Sequence, residues 1–118
     1  MRTKLKLLII TKGSKMGKSQ RIPPTHPGEI LLEEYMKPYA LSANALATDL
    51  GLSATRIGDI IHQRRGITAE TAIALAEYFK TSAEFWLGIQ MQYDKEIAED
   101  EIGQRVRLRV RHRELVER

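Results

Sequence analysis

The chain has 118 residues and a formal net charge of +4, a length that suits one small domain with a modest core. It contains no cysteine, which excludes disulfide bonds and thiolate metal sites and suits the reducing cytoplasm. No apolar run approaches the length of a membrane span and the three histidines are scattered, so we expect no membrane anchor, metal centre or cofactor.

The amino terminus is strongly basic, since residues 1–25 hold seven Lys/Arg and no acid. We interpret residues 1–20 as a basic extension in which an apolar run could form a strand or be disordered. A lone strand has no pairing partner, which favours disorder in isolation. Met16 is a possible alternative start of translation.

The first predicted helix spans about residues 28–37 and follows a proline-rich, extended lead-in. Pro27 suits the first helical position, where its missing N–H costs nothing. Pro38 should end the helix, because the residue before a proline is pushed away from helical angles. The predicted apolar stripe consists of Ile30, Leu31 and Tyr35.

Residues 42–66 have the pattern of a helix-turn-helix, with helices at about 43–50 and 54–62. Gly51 falls in the turn, where a left-handed backbone is needed, and Ala47 falls where the helices cross. An ordinary helical hairpin is the alternative, but it does not require this alanine and glycine together.

The residue types of the motif also predict where its helices begin and end and which side chains face the core. Ser42 and Ser53 stand just before the two helices, where a hydroxyl caps free backbone N–H groups. Gly66 is predicted to end the second of these helices in a left-handed conformation. The positions predicted to face the core are Leu46, Leu50, Leu52, Ile57 and Ile60.

Two further helices are predicted, the fourth at about 69–80 after Thr68 and the fifth after a capping box of Thr81 and Glu84. The fifth is apolar over a wide arc, which fits either one broad core face or burial on two sides, against the domain and a second subunit. The apolar residues of the fourth helix are Ala72, Leu75, Ala76 and Phe79, and those of the fifth are Phe85, Trp86, Leu87, Ile89, Tyr93 and Ile97.

The remaining residues, 100–118, are arginine-rich, and the domain proper is therefore assigned to residues 21–99. Apolar and basic residues alternate from Val106 onward, which favours a strand. A helix supported by an Arg113–Glu117 pair and a disordered tail are also compatible with the sequence.

The motif implies a DNA-reading surface at the amino-terminal end of its second helix. Arg56 is the best candidate for bidentate contact to guanine, and Asp59 could accept from cytosine or orient Arg56. Ala54 could touch a thymine methyl group, and Gly58 would let the backbone come close. Ser53 and Thr55 are also within reach of base edges, and the predicted phosphate contacts are Asn44, His62, Gln63, Arg64 and Arg65.

The charge distribution supports this placement. Residues 26–99 hold six Lys/Arg against eleven Asp/Glu, so the core of the chain is acidic. Within residues 40–79 the only cations are Arg56, Arg64 and Arg65, on or just after the second helix of the motif. Cations concentrated on one edge are what a phosphate-binding surface needs.

The order of several segments resembles the HigA-type addiction-module antidotes, within the wider lambda-repressor-like (XRE) helix-turn-helix class. The resemblance covers about residues 23–97 and leaves the long basic amino terminus outside. Besides the helix-turn-helix, it rests on PPTHPGEILLEEYMKP at 23–38, RRGITAETAIALAEYF at 64–79 and TSAEFWLGIQMQYD at 81–94.

This resemblance implies an all-α, five-helix DNA-binding domain, here with basic extensions at both ends. It also implies a homodimer on a palindromic operator of its own operon and a cognate mRNA-cleaving toxin that the protein neutralises. A stand-alone regulator of the same fold is the alternative. We do not expect an enzyme, because no cysteine is available, the serine and threonine residues are placed at helix caps and no glycine-rich phosphate loop is present.

Overall fold

A computed structural model describes residues 23–116, and the predicted basic segment 1–20 lies outside them. The described part is all-α and contains no strand, which confirms the predicted fold class. Its helices are α1 (Pro27–Ile30), α2 (Ala43–Leu50), α3 (Ala54–Ile61), α4 (Ala69–Phe79) and α5 (Ala83–Arg109). The core between them is built from Ile30, Leu31, Met36, Leu46, Ala47, Ile57, Ile60, Ile67, Ala72, Leu75 and Trp86.

The chain does not stop at the end of α1 but continues as a π-helix over Leu31–Met36. Leu31 and Met36 are both buried, although positions five apart lie about 140° from each other on an α-helix. The i→i+5 bonding of a π-helix brings the two side chains toward one face. The spacing of apolar residues in the sequence does not distinguish a π-helix from a regular α-helix here.

The predicted stop at Pro38 is wrong. Lys37 keeps helical backbone angles, and Pro38 lies inside a 3₁₀ turn, Lys37–Tyr39. Proline is tolerated early in such a turn, because the N–H it lacks has no partner there. The segment ends at Ala40, which adopts a left-handed conformation with φ 52°.

Both helices of the helix-turn-helix begin as predicted. The Ser42 hydroxyl accepts a hydrogen bond from the Ala45 N–H at 3.1 Å, and the Ser53 hydroxyl accepts one from the Arg56 N–H at 3.0 Å. Gly51 has φ 74°, the left-handed turn that glycine adopts without a steric penalty. The predicted core positions are buried, except that Leu50 and Leu52 are half-buried at its edge.

The end of α3 differs from the prediction. Gln63, with φ 63°, takes the left-handed position predicted for Gly66, because the helix already closes there, with the N–H groups of Gln63 and Arg64 donating to the carbonyls of Ile60 and Asp59. Gly66 instead leaves room for α5: a Cβ there would lie 2.8 Å from Oε1 of Gln90. That oxygen accepts a hydrogen bond from the Ile67 N–H at 2.6 Å, which ties the loop to α5.

Thr68 caps α4 as predicted, but the capping box proposed for α5 is wrong. Ser82 is the cap residue, and its hydroxyl accepts from the Phe85 N–H at 3.0 Å. The Thr81 hydroxyl accepts instead from the indole Nε1 of Trp86 at 2.8 Å. Because Trp86 is fully buried, its N–H needs such a partner, and that need decides the role of Thr81.

The fifth helix continues well beyond the predicted domain boundary at residue 99. It spans 27 residues, or about 40 Å at 1.5 Å per residue. The strand interpretation is therefore wrong for residues 106–109, which adopt the alternative helix, and residues 110–116 have no regular structure. A helix satisfies its own backbone hydrogen bonds, whereas a lone strand at this place would leave them without partners.

The start of α1 lies against the end of α3. His26 caps α1 by accepting a hydrogen bond from the Gly28 N–H at its ring Nδ1, 2.9 Å away. A Cβ on Gly28 would lie 1.8 Å from the carbonyl oxygen of Ile60, so only glycine allows this approach. The His26 ring also packs edge-on against Tyr93 of α5, with ring centroids 4.8 Å apart.

Replacing Gly28 by alanine should therefore destabilise the protein, by about 1–3 kcal/mol or more, because backbone has to move to admit the methyl group. Urea unfolding followed by circular dichroism measures the change. Gly58→Ala is the matched control, since a Cβ there meets nothing within 4 Å. That control should instead gain about 0.5–1 kcal/mol from the better helix propensity of alanine. Equal stabilities for the two variants would contradict the close approach.

Acid should weaken the fold through His26. Burial lowers the pKa of His26, although the nearby Asp94 carboxylate acts in the opposite direction. The folded state therefore prefers the neutral ring, whose Nδ1 can accept from Gly28. This contribution is complete above the unfolded-state pKa of about 6.5 and is lost as the pH falls from there through the lower folded-state pKa, with a slope of at most about 1.4 kcal/mol per pH unit.

The measurement is the free energy of unfolding of the wild type and of His26→Asn between pH 7.5 and 5.5. Asparagine also caps helices but does not titrate in this range. The wild type should lose stability faster than the variant as the pH falls. Parallel curves would show that His26 does not couple folding to protons.

Candidate nucleic-acid interface

The exposed side of α3 is set by two buried isoleucines. Ile57 and Ile60 are fully buried and fix which way the helix faces. At 100° per residue, Thr55 lies opposite them, with Gly58 and Asp59 on either side of it. Most of the predicted DNA-contacting side chains are exposed, namely Asn44, Ser53, Ala54, Thr55, His62, Gln63, Arg64 and Arg65, whereas Arg56 and Asp59 are half-buried.

The structure joins Arg56 to a carboxylate that the sequence did not point to. Its Nη1 donates to Oε1 of Glu70 at 3.1 Å, across the gap between α3 and the first turn of α4. The Arg56 side chain is 31% exposed and that of Glu70 is 72% exposed. Fourteen residues separate the two in the chain, and no local pattern predicts a contact at that separation.

Asp59 does not orient Arg56 but holds the arginines that follow α3. Its Oδ1 accepts from both Nε and Nη2 of Arg64, at 3.2 and 3.0 Å. Its Oδ2 lies 3.7 Å from Nη2 of Arg65. The Arg64 N–H also donates to the Asp59 carbonyl at 2.7 Å, which brings the side chains together at the end of the helix.

Several predicted contact residues have structural roles of their own. The Ser53 hydroxyl oxygen is used in the cap, which leaves its hydrogen for another acceptor. The Nδ1 of His62 lies 2.8 Å from the Gly58 carbonyl oxygen, so Nδ1 carries the hydrogen and donates. Gln63 extends from its left-handed turn with an exposed side chain.

The start of α2 also contributes polar groups to this surface of the helix-turn-helix. Asn44 lies in the first turn of α2, next to the Ser42 cap, and its side chain is exposed. The amino-terminal ends of helices carry partial positive charge, which favours a phosphate near such a side chain. Exposed polar groups at α2 and α3 together with three arginines are what contact with a nucleic-acid backbone requires.

The described residues contain no group of three or more histidine or acidic residues placed to hold a metal ion. None of the helices between residues 23 and 116 is long and apolar enough to cross a bilayer.

Comparisons with known proteins identify the family. Residues 32–86 match the helix-turn-helix family model. Virulence-associated protein I of Dichelobacter nodosus is 51% identical over 85 residues, which cover 72% of this chain and 78% of that protein. Antitoxin HigA-1 of Vibrio cholerae is 34% identical over 79 residues, which cover 67% of this chain and 73% of that protein.

A solved structure of an antitoxin shows that the fold is also shared. The Pseudomonas aeruginosa antitoxin HigA, solved with the higBA promoter, superposes with a TM-score of 0.72 and 40% identity. The match covers 75% of this chain and 96% of that one. The chain therefore belongs to the HigA-type antitoxin family of XRE helix-turn-helix proteins.

Proposed function

We propose that this protein is the DNA-binding antitoxin of a two-component toxin–antitoxin module. It represses its own operon by binding an operator, and it neutralises an mRNA-cleaving toxin. The observation that carries the DNA-binding part is the exposed side of α3, flanked by Arg56, Arg64 and Arg65. The related Pseudomonas HigA, of the same fold, was solved with a promoter DNA. The proposed place of action is the cytoplasm.

In the proposed docking, the amino-terminal end of α3 enters the major groove. Arg56 reads guanine, Asp59 accepts from cytosine, and Ala54 touches a thymine methyl group. Ser53 and Thr55 reach neighbouring base edges. The phosphate contacts come from Asn44, His62, Gln63, Arg64 and Arg65.

The carboxylates beside the arginines are compatible with this docking. Exposed ion pairs contribute only about 0–1 kcal/mol, because water screens them and two side chains lose freedom. Arg64 and Arg65 are both well exposed, so a phosphate can take the place of Asp59 at little cost. Charge-assisted contacts to phosphate are then gained in exchange.

A second copy of the chain is the proposed partner along α5. One domain offers few base contacts, so strong operator binding requires two domains on two half-sites. Leu87, Met91 and Ile102 of α5 are exposed, and Met91, which is 66% exposed, lies about 140° around the helix from the buried Trp86. At 100° per residue these three side chains fall within about 60° of one another, which makes an apolar stripe on one face, with about 16 Å of helix between Met91 and Ile102.

Removing the arginines separates the two proposed kinds of DNA contact. Arg64→Ala should weaken binding to every duplex and lower the salt slope by about one unit, because one phosphate contact is lost. Arg56→Ala should lose about 1–3 kcal/mol on operator DNA and relax the preference at one base pair. Fluorescence anisotropy with duplexes from the promoter of the protein's own operon measures both effects.

Lys37→Ala is the control for loss of a cation, since Lys37 pairs with Glu33 on the first helical segment. It should bind like the wild type. Wild-type binding by both Arg56→Ala and Arg64→Ala would show that α3 does not enter the groove in this way.

The dimer is tested by a charge placed on the apolar stripe. Met91→Lys should shift the protein toward the monomer in analytical ultracentrifugation and weaken binding to a two-half-site operator, because the ammonium group would have to be buried in the contact. Gln92→Lys places the same charge beside Glu96, on another side of the helix, and should leave the mass unchanged. Equal masses for the two variants would argue against this contact.

Toxin neutralisation distinguishes an antitoxin from a stand-alone regulator, since both require the same DNA surface. Co-expression with the reading frame next to this gene should give a stable complex and restore growth that the neighbouring product alone arrests. Absence of a complex, combined with unchanged operator binding, would leave the regulator as the function.

A further inference from the structure

We propose that Glu70 determines how specifically the protein reads DNA, by holding the Arg56 guanidinium where it meets a base edge instead of a phosphate. This inference rests on the proposed function and extends it to a residue outside the helix-turn-helix. Glu70 acts through Arg56 and is therefore a positioning residue. The observation behind it is the 3.1 Å hydrogen bond between Nη1 of Arg56 and Oε1 of Glu70.

Both ends of this pair stand on rigid backbone. Arg56 precedes the fully buried Ile57 in α3, and its N–H is bound by the Ser53 cap. Glu70 precedes the buried pair Thr71 and Ala72 in α4. Two side chains anchored in this way lose less freedom on pairing than two side chains on mobile loops.

Glu70 also brings a negative charge close to α3. It lies two residues after the Thr68 cap, in the first turn of α4, where the partial positive charge of the helix terminus favours a carboxylate. The negative charge therefore stays beside α3, next to the predicted path of the DNA. There it disfavours a phosphate close to Arg56, because like charges repel.

The guanidinium keeps enough donors to read a base. Arginine has five N–H donors in a planar fork, and the hydrogen bond to Glu70 uses Nη1. A bidentate contact to guanine O6 and N7 needs two parallel donors. Arg64 has a different arrangement, since its Nε and Nη2 both point to Asp59 of its own helix end. Arg56, which bridges α3 and α4, is therefore better placed to contact a base. Arg64, after the end of α3, can exchange Asp59 for a phosphate.

The experiment compares Glu70→Ala and Glu70→Gln with Glu77→Ala, in the full-length protein. Glu77 is an exposed acid on the same helix, so its removal changes the net charge equally. Binding is measured on the promoter duplex of the protein's own operon, on a scrambled duplex, and on duplexes with single base-pair replacements. An exposed ion pair adds little to the stability of a fold, so all variants should remain folded, which circular dichroism checks.

Glu70→Ala should bind the scrambled duplex more tightly and lose about tenfold in discrimination at one base pair, because the contact of Arg56 to that base is loosened. Glu70→Gln should lie between the wild type and the alanine variant, since it keeps an acceptor without the charge. Glu77→Ala should change binding to all duplexes by one common factor. The Glu70 effect on discrimination should disappear when Arg56→Ala is already present.

Two results would overturn the inference while leaving the proposed function intact. The first is that Glu70→Ala and Glu77→Ala change the preference for the operator over the scrambled duplex by the same factor. The other is a Glu70 effect on discrimination that persists without Arg56, since the carboxylate would then act on DNA directly. A wild-type protein with no preference for its own promoter would instead remove the proposed function, and this inference with it.

Discussion

The direction in which α3 faces depends on the contact between the Gly28 backbone and the Ile60 carbonyl. A Cβ on Gly28 would lie 1.8 Å from that oxygen, so α1 and the end of α3 approach more closely than a residue with a side chain allows. Ile57 and Ile60 are fully buried on the same helix and prevent it from rotating. Because His26 caps α1 at this point and also packs on Tyr93, the contact links α3 to α5 as well.

The second constraint is electrostatic. Each arginine of the interface lies beside a carboxylate, Arg56 beside Glu70 and the other two beside Asp59. Residues 26–99 are acidic as a whole, so diffuse positive charge cannot account for DNA binding by this part of the chain. Under the proposed function, phosphates replace Asp59 as the weak partner of Arg64 and Arg65, whereas Arg56 keeps Glu70 and turns its remaining donors to a base. Such an exchange favours a ligand that matches the geometry of the arginines over any polyanion.

The parts of the fold that follow from short-range chemistry were predictable from the sequence. The serine caps of α2 and α3, the left-handed Gly51 and the apolar positions of α3 depend on neighbours within one or two turns. The error at the start of α5 lies where tertiary packing decides which group a hydroxyl bonds, even between residues five apart. Thr81 was expected to cap α5, but the buried indole of Trp86 needs its hydroxyl, and Ser82 caps the helix instead.

The same limit applies to the candidate site. The exposure of the residues on α3 was predictable from helical periodicity, whereas Glu70 was missed because its partner is 14 residues away on another helix. The two faces of α5 also depend on tertiary packing. The helix buries Trp86 in the domain and exposes Met91 on another side. If a second copy packs on that exposed side, the rigid helix fixes the distance between the two α3 helices. The spacing of operator half-sites would then be set by the packing of α5, and the choice of bases by α3 and the acid that holds its arginine.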